Sequence, residues 1–163
     1  MKPNKTNAAR LLDKAGIAYE LIPYRVDESD LSAIHVAETL NRPVEQLFKT
    51  LVLKGDKTGY MVCIIPGAME LNLKQAAKAS GNKSCEMIAM KDLLPVTGYI
   101  RGACSPIGIK KAFPSYIHSS CNDYDYIYVS AGQRGLQIKI APADLVKMIG
   151  ATLFDNGTQM NTD

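Results

Sequence analysis

The chain has 163 residues, of which 47% are apolar and 21% charged, and its formal net charge is +3. This length and composition favour one folded domain, and the mild charge excludes a protein that binds nucleic acid tightly by charge alone. The sequence has no apolar run resembling a signal peptide or a bilayer span and no cysteine or histidine pair at metal spacing, so we expect a cytoplasmic protein with no membrane contact, metal or other cofactor.

Four segments have helical patterning. The first predicted helix runs from about Thr6 to Ala15, because its apolar residues recur at helical spacing. Ser32 and Asn72 are typical N-caps of two further helices, and Pro142 suits the first turn of a fourth. The predicted helices therefore cover residues 6–15, 33–40, 73–80 and 142–149, with a shorter helical turn at 90–95.

Several apolar runs rich in β-branched and aromatic residues are predicted strands. Short turns at 56–58 and 132–134 would join two pairs of them as hairpins. The strands do not alternate regularly with helices, and the sequence has no glycine-rich phosphate loop. We therefore predict an α+β fold, a mixed and largely antiparallel sheet or open barrel surrounded by helices, as one domain over residues 1–155 with a flexible tail at 156–163. The predicted strands are at 17–24, 47–55, 59–67, 116–119, 124–131 and 135–141.

The first candidate site residue is Lys49, which follows Phe48 in a run that resembles a buried strand. An unpaired ammonium group is costly to bury. Strand alternation could point Lys49 outward, or its long stem could reach water. Alternatively, Lys49 is a cationic anchor at the mouth of a pocket, in reach of a phosphate or a carbonyl oxygen.

The second candidate is the loop Gly102–Pro106. Gly102 lets a ligand approach the backbone, Pro106 fixes the loop, and amide groups in such a loop can stabilise an oxyanion. The same residues also suit an ordinary turn between strands. Cys104 could be a nucleophile, but no histidine stands in a recognisable catalytic context, so a packed thiol is the favoured interpretation.

The third candidate is the end of the second predicted hairpin, where Ser130, Gly132 and Arg134 lie. Serine and glycine are common turn residues. The same residues would also suit the floor of a pocket that hydrogen-bonds a small ligand. The hairpin alone does not distinguish these interpretations.

In combination, the three motifs resemble one known family. FKTLV at 48–52, the GxxxP loop at 102–106 and YVSAGQRGL at 128–136 have the order and separations of the YbaK/EbsC family of aminoacyl-tRNA deacylases, and the resemblance runs from about Ala8 to Phe154. That family is similar in fold to the editing insertion domain of bacterial prolyl-tRNA synthetase. Its free-standing members clear tRNA(Pro) that carries a small, wrong amino acid.

The resemblance implies roles for individual residues. Lys49 would position the tRNA 3′ end near the ester, and Gly102 would hold the aminoacyl group through its backbone. The implied substrate-binding residues are Tyr24, Thr50, Pro106, Ser130 and Gly132. The basic side chains that could meet acceptor-stem phosphates are Arg101, Lys110, Lys111 and Arg134.

The function that the resemblance implies is trans-editing, by hydrolysis of the ester of Cys-tRNA(Pro) and, in some settings, of Cys-tRNA(Cys). The thiol of the substrate would attack its own carbonyl carbon, so orientation and oxyanion stabilisation would suffice without a protein nucleophile. The implied partners are the acceptor end of mischarged tRNA(Pro) and, as a targeting partner, prolyl-tRNA synthetase.

Three alternatives remain open. An Ala-tRNA(Pro) deacylase would share the fold but use water as the nucleophile, a non-catalytic tRNA-binding module would keep the same loops, and a thiol-dependent hydrolase would use Cys104. Two departures from the family pattern concern the pocket. Gln137 stands where some relatives have an aspartate, and a family phenylalanine has no counterpart here except Leu31 or Ile34.

Overall fold

A computed structural model describes residues 5–157. Its α-helices begin and end close to the predicted positions, because local signals fix them. The side chains of Thr6, Ser32 and Asn72 each accept hydrogen bonds from backbone N–H groups in the first turn of the helix that follows. The helices are α1 (Asn7–Ala15), α2 (Ala33–Leu40), α3 (Leu73–Ser80), α4 (Leu93–Thr97) and α5 (Pro142–Ile149).

The strands include all of those predicted and two that were not. The two missed strands, β4 and β8, have three residues each. Both predicted hairpins are confirmed by antiparallel pairing of β2 with β3 and of β6 with β7. The strands are β1 (Tyr19–Pro23), β2 (Phe48–Gly55), β3 (Gly59–Pro66), β4 (Cys85–Met87), β5 (Ser115–His118), β6 (Ile127–Ser130), β7 (Leu136–Ile140) and β8 (Thr152–Phe154).

The strands form two sheets, in the orders β1-β7-β6 and β4-β2-β3-β5-β8. Pairing is antiparallel except for the β3–β5 and β5–β8 pairs, which are parallel. One bridge between Leu47 and Tyr128 joins the sheets, which do not close into a barrel. The predicted α+β fold with a mixed, largely antiparallel sheet is therefore confirmed.

The three-stranded sheet packs a different set of side chains on each face, and this arrangement places the candidate site. On β7, Leu136, Ile138 and Ile140 point into the main core, with Phe48 and Ile64 from the larger sheet. The opposite face carries Tyr128 of β6, which packs with Val36 and Ala37 of α2 and with Leu47. Because side chains alternate along a strand, Ser130 and Gln137 lie on this second face, toward α2.

The end of the described chain is anchored to the fold. Asn156 is 7% exposed. Its Oδ1 accepts a hydrogen bond from the Asn72 N–H, and its Nδ2 donates to the Glu70 carbonyl oxygen. The predicted tail begins at this residue, and its last six residues, 158–163, lie outside the described part of the chain. Within residues 5–157, no helix combines the length and apolar character that crossing a bilayer requires.

Candidate active site

A cavity of about 590 Å³ opens between α2, the start of β2 and the loop at 101–104. Six of the sequence-predicted site residues line it, from segments that are distant in the chain. This volume lies in the range of small-ligand sites, which is roughly 300–1,000 Å³. The predicted residues in the lining are Tyr24, Lys49, Thr50, Arg101, Gly102 and Ser130.

Lys49 lines this cavity as a half-buried cation. Within residues 5–157, no carboxylate lies within 4.0 Å of its ammonium group. Burial lowers the pKa of Lys49 from its ordinary value of 10.5, and the negative charge of Glu70 partly opposes this shift. An ammonium group that is partly desolvated and unpaired is suited to attract an anionic or carbonyl oxygen of a ligand.

The Gly102 loop presents backbone to the same cavity. Gly102 has φ of +82°, a conformation that side-chain-bearing residues rarely adopt. Its N–H donates to no acceptor in the described part of the chain. The end of β6 fixes the position of this loop. The Ser130 hydroxyl donates to the Ala103 carbonyl oxygen at 3.0 Å and accepts from the Gly132 N–H at 3.2 Å.

Arg134 also binds the backbone of this loop. Its Nε donates to the Arg101 carbonyl oxygen at 2.9 Å, and its Nη1 donates to the Glu28 carboxylate at 2.7 Å. The side chain of Arg134 is 28% exposed and does not line the cavity. These contacts give Arg134 a partner within the protein, and its predicted contact with tRNA phosphate remains a prediction.

The other predicted residues outside the cavity fall into two groups. Pro106 is buried and Gly132 lies against Tyr99, so neither residue is exposed in the cavity wall. Lys110 and Lys111 are exposed on the surface and remain candidates for tRNA phosphates. The structure therefore divides the basic residues that the sequence grouped together, because Arg101 lines the cavity whereas Lys110 and Lys111 lie on the outer surface.

Cys104 lines the cavity but has the properties of a packed thiol. Burial raises the pKa of the Cys104 thiol to about 12, and a hydrogen bond with Thr97 opposes this shift only in part. Because the thiolate is the nucleophilic form of cysteine, a thiol with so high a pKa is a poor nucleophile at neutral pH. This supports the interpretation that Cys104 takes no covalent part in a reaction.

Two parts of the site were connected with the pocket in the sequence analysis but given no role there. The segment 29–34 forms one wall, and both residues considered as counterparts of the family phenylalanine, Leu31 and Ile34, line the cavity there. Leu31 lies beside Gly102, where its Cδ1 would be 3.3 Å from a Cβ built on that glycine. Gln137 lines the floor of the cavity. Because side chains alternate along a strand, the apolar neighbours Leu136 and Ile138 already indicated that the Gln137 side chain points away from the core.

The described part of the chain has no candidate metal-binding cluster. In the residues that the structure describes, no group of three or more histidine, cysteine, aspartate or glutamate side chains could hold a metal ion. The lining supplies hydrogen-bonding groups and charges, which include the Lys49 and Arg101 cations, the Asp30 carboxylate, the Gly102 backbone and neutral polar side chains.

The fold and the basic pocket define an α+β domain with a cavity of ligand size, and comparisons with known proteins identify its family. The aminoacyl-tRNA editing domain family matches residues 28–148. The chain is 49% identical over 144 residues, 88% of each protein, to EbsC of Enterococcus faecalis, a candidate Cys-tRNA(Pro)/Cys-tRNA(Cys) deacylase. The chain therefore belongs to the aminoacyl-tRNA editing domain family.

Two further proteins are similar to this chain, one in sequence and one in fold. Proline–tRNA ligase of Thermosipho africanus is 34% identical over 76 residues, which are 47% of this chain and 13% of that enzyme. The crystal structure of a candidate trans-editing enzyme for prolyl-tRNA synthetase superposes with a TM-score of 0.81, covering 96% of this chain and all of that one, at 21% identity. At this identity, the superposition establishes the fold alone.

Proposed function

We propose that this protein is a trans-editing deacylase that hydrolyses the ester bond of Cys-tRNA(Pro). One observation carries the proposal: Lys49 and Gly102 line the same open cavity, and the Lys49 ammonium has no ion-pair partner and the Gly102 N–H no acceptor in the described part of the chain. Two hydrogen-bond donors beside one space suit a carbonyl oxygen that gains negative charge. The likeness to EbsC, a candidate deacylase of Cys-tRNA(Pro) and Cys-tRNA(Cys), supports the choice of amino acid and tRNA.

The proposed reaction uses the substrate's own thiol. The cysteine sulfur attacks the ester carbonyl carbon, a C–S bond forms, and the bond from that carbon to the ribose oxygen breaks. The thiol proton ends on the ribose hydroxyl, and water later opens the cyclic thioester to give free cysteine. Lys49 and the Gly102 amide stabilise the negative charge on the carbonyl oxygen, and no protein nucleophile is needed.

Such an enzyme has a clear physical purpose. A synthetase pocket for proline discriminates poorly against a smaller side chain, since small apolar differences supply only about 1–3 kcal/mol. A second enzyme that hydrolyses the wrong ester restores accuracy. The exposed Lys110 and Lys111 would contact acceptor-stem phosphates, and a few such contacts give weak, salt-sensitive binding. Association with prolyl-tRNA synthetase in the cytoplasm, where tRNA is charged, would then bring the enzyme to its substrate.

The test compares hydrolysis of Cys-tRNA(Pro) and Ala-tRNA(Pro) by the wild type, Lys49→Met and a matched control, Lys54→Met. Lys54 is an exposed lysine of the same strand that lies outside the cavity lining. We expect rapid release of cysteine, slow release of alanine and a loss of about 100-fold in kcat/KM for Lys49→Met, the size typical of a lost oxyanion contact. The Lys54→Met variant should retain wild-type activity.

Other outcomes would redirect the assignment. Faster release of alanine would make the protein an Ala-tRNA(Pro) deacylase. Binding of tRNA without turnover of either ester would make it a non-catalytic tRNA-binding module. Full activity of Lys49→Met would exclude the proposed role of the ammonium group, even if the enzyme hydrolyses Cys-tRNA(Pro).

A further inference from the structure

The floor of the cavity contains a buried polar group whose hydrogen-bonding capacity is not used. Gln137 of β7 is 5% exposed. Its Oε1 is the one buried side-chain nitrogen or oxygen atom within residues 5–157 that has no hydrogen-bond partner. Buried polar atoms in folded proteins nearly always have partners, since leaving one without any destabilises the fold. Gln137, which lines the candidate cavity, is therefore the exception to this rule in the described part of the chain.

The two residues paired with Gln137 in the sheet offer no free donor for this oxygen. Across the sheet it is paired with Ser130 on β6 and with Ile22 on β1. Ile22 has no side-chain donor, and the Ser130 hydroxyl already donates its hydrogen to the Ala103 carbonyl oxygen. Because Gln137 also lines the cavity, a group that enters the cavity is the candidate donor for this oxygen.

We propose that Gln137 Oε1 accepts a hydrogen bond from the α-ammonium group of the aminoacyl moiety and so sets which way the substrate lies. This inference rests on the proposed function and specifies how the same site recognises the amino acid. The ester carbonyl offers only acceptors, and it matches the donors of Lys49 and the Gly102 amide. The α-ammonium offers only donors, and it matches the unused oxygen of Gln137.

The ammonium group suits this position better than the cysteine thiol does. An N–H of an ammonium group makes a charge-assisted hydrogen bond, whereas an S–H is a weak donor. Asp30 is the only carboxylate in the described cavity lining, and half of its side chain is exposed. Because Gln137 is neutral, it accepts this bond without placing a buried negative charge opposite Lys49, and its own state does not change with pH.

The test measures binding of three compounds that cannot be hydrolysed, because an amide replaces the ester. The first is adenosine with L-cysteine joined to a 3′-amino group. The second lacks the α-amino group and carries a 3-sulfanylpropanoyl chain, and the third carries L-alanine and so lacks the thiol. Dissociation constants would be measured by calorimetry for the wild type, Gln137→Met and the control Gln75→Met, which makes the same change on α3 outside the cavity.

We expect Gln137→Met to bind the cysteinyl and the alanyl compound about tenfold more weakly than the wild type does, a loss of about 1.4 kcal/mol of binding free energy for each. The compound without the α-amino group should change by less than twofold. The melting temperature of Gln137→Met should equal or exceed that of the wild type, because the unpaired buried oxygen is gone. Gln137→Glu, which keeps an acceptor, should bind both amino-bearing compounds at least as tightly as Gln137→Met does.

Three outcomes would overturn the inference. If Gln137→Met bound all three compounds more weakly by the same factor, Gln137 would act through packing. If affinity fell only for the two compounds that carry a thiol, the contact would be with the sulfur. If no affinity changed, Gln137 would make no contact with the ligand. Failure of the wild type to bind any of the three would overturn it as well. Because the compounds do not react, the expected binding pattern with no turnover of Cys-tRNA(Pro) would contradict the proposed function and leave the Gln137 contact standing.

Discussion

The candidate site can be compared with a second cavity of similar volume, about 620 Å³, which lies beside β5 and β8. Two of its least exposed polar side chains, Asn156 and His118, have partners within the protein. Asn156 bonds to backbone groups of Asn72 and Glu70, and His118 Nδ1 lies 2.8 Å from the Ser120 hydroxyl. In the candidate site, the Lys49 ammonium and Gln137 Oε1 lack such partners in the described chain. The two cavities therefore have similar volumes, but of the two only the candidate site has in its described lining a buried side-chain atom that lacks a hydrogen-bond partner.

The charges of the two cavities also differ. The candidate site is lined by Lys49 and Arg101 with one carboxylate, Asp30. The second cavity has three carboxylates and no lysine or arginine in its described lining. An anionic tRNA end is attracted to the first and repelled by the second. The carboxylates of the second cavity are Glu70, Asp123 and Asp155.

The largest effect that we expect in the second cavity is on stability. Asn156→Ala removes two hydrogen bonds and leaves the Asn72 N–H and the Glu70 carbonyl without their partner. We expect the free energy of unfolding to fall by about 3 kcal/mol, measured by urea denaturation. Deacylation of Cys-tRNA(Pro), assayed where the variant is still folded, should stay near the wild-type rate. A tenfold loss of activity in the folded variant would mean that the second cavity also contributes to function.

The next largest effect concerns the Gly102 loop. In Gly102→Ala, the new Cβ would lie 3.3 Å from both Arg134 Nε and Leu31 Cδ1, and the positive φ would be strained. We expect kcat/KM for Cys-tRNA(Pro) to fall by about tenfold, because the amide beside the ester is displaced.

Gly98→Ala is a matched control for this variant. Gly98 has a similar φ of +85°, but a Cβ there would meet only Lys110 Cβ at 3.7 Å. Both variants should lose about 1–2 kcal/mol of stability through backbone strain, and Gly98→Ala should keep its activity. Equal loss of activity in both would attribute the effect to general destabilisation.

A smaller effect links the two cavities through charge. The pKa of Lys49 is lowered by burial and raised in part by Glu70, which lines the second cavity. Lys49 should therefore titrate at a lower pH in the native protein than in the urea-unfolded chain, and lower still in Glu70→Gln. Carbon-13 NMR of labelled lysine, assigned with Lys49→Arg, measures this. Titration of native Lys49 at or above the unfolded value would contradict the burial that we describe.

The same pKa shift determines how stability depends on pH. Between the native and unfolded pKa values of Lys49, the native state binds fewer protons than the unfolded state, so this residue makes stability rise with pH in that window. Lys49→Met should remove this contribution. The cationic role of Lys49 in the site should in turn be lost as pH rises through its native pKa.

Local signals allowed much of the fold to be predicted from the sequence. The caps Thr6, Ser32 and Asn72 and the two hairpin turns act over a few residues, and the structure confirms the elements that they begin or join. The short strands β4 and β8 were missed because three residues carry little pattern. They exist through pairing with distant segments, β4 with β2 and β8 with β5.

The sequence allowed several residues of the site to be predicted, but not the directions of their side chains or their partners. The resemblance brought Lys49, Gly102 and Ser130 together, and the structure places all three on one cavity. The direction of Lys49 could not be inferred, because both faces of β2 meet buried residues. The partner of Arg134 could not be inferred either, since Glu28 lies 106 positions earlier in the chain. Contacts of this kind depend on tertiary packing.

The smallest effect that we expect is that of Cys104→Ala, the variant that tests whether any protein sulfur reacts. The Cys104 thiol has a pKa raised to about 12 and lies on the cavity wall, so it is protonated at neutral pH. Its removal should change kcat/KM for Cys-tRNA(Pro) by less than threefold, in contrast to the loss in Gly102→Ala two residues away. If Cys104→Ala were inactive with an unchanged circular dichroism spectrum, the reacting sulfur would belong to the enzyme, and the substrate-thiol reaction would have to be abandoned.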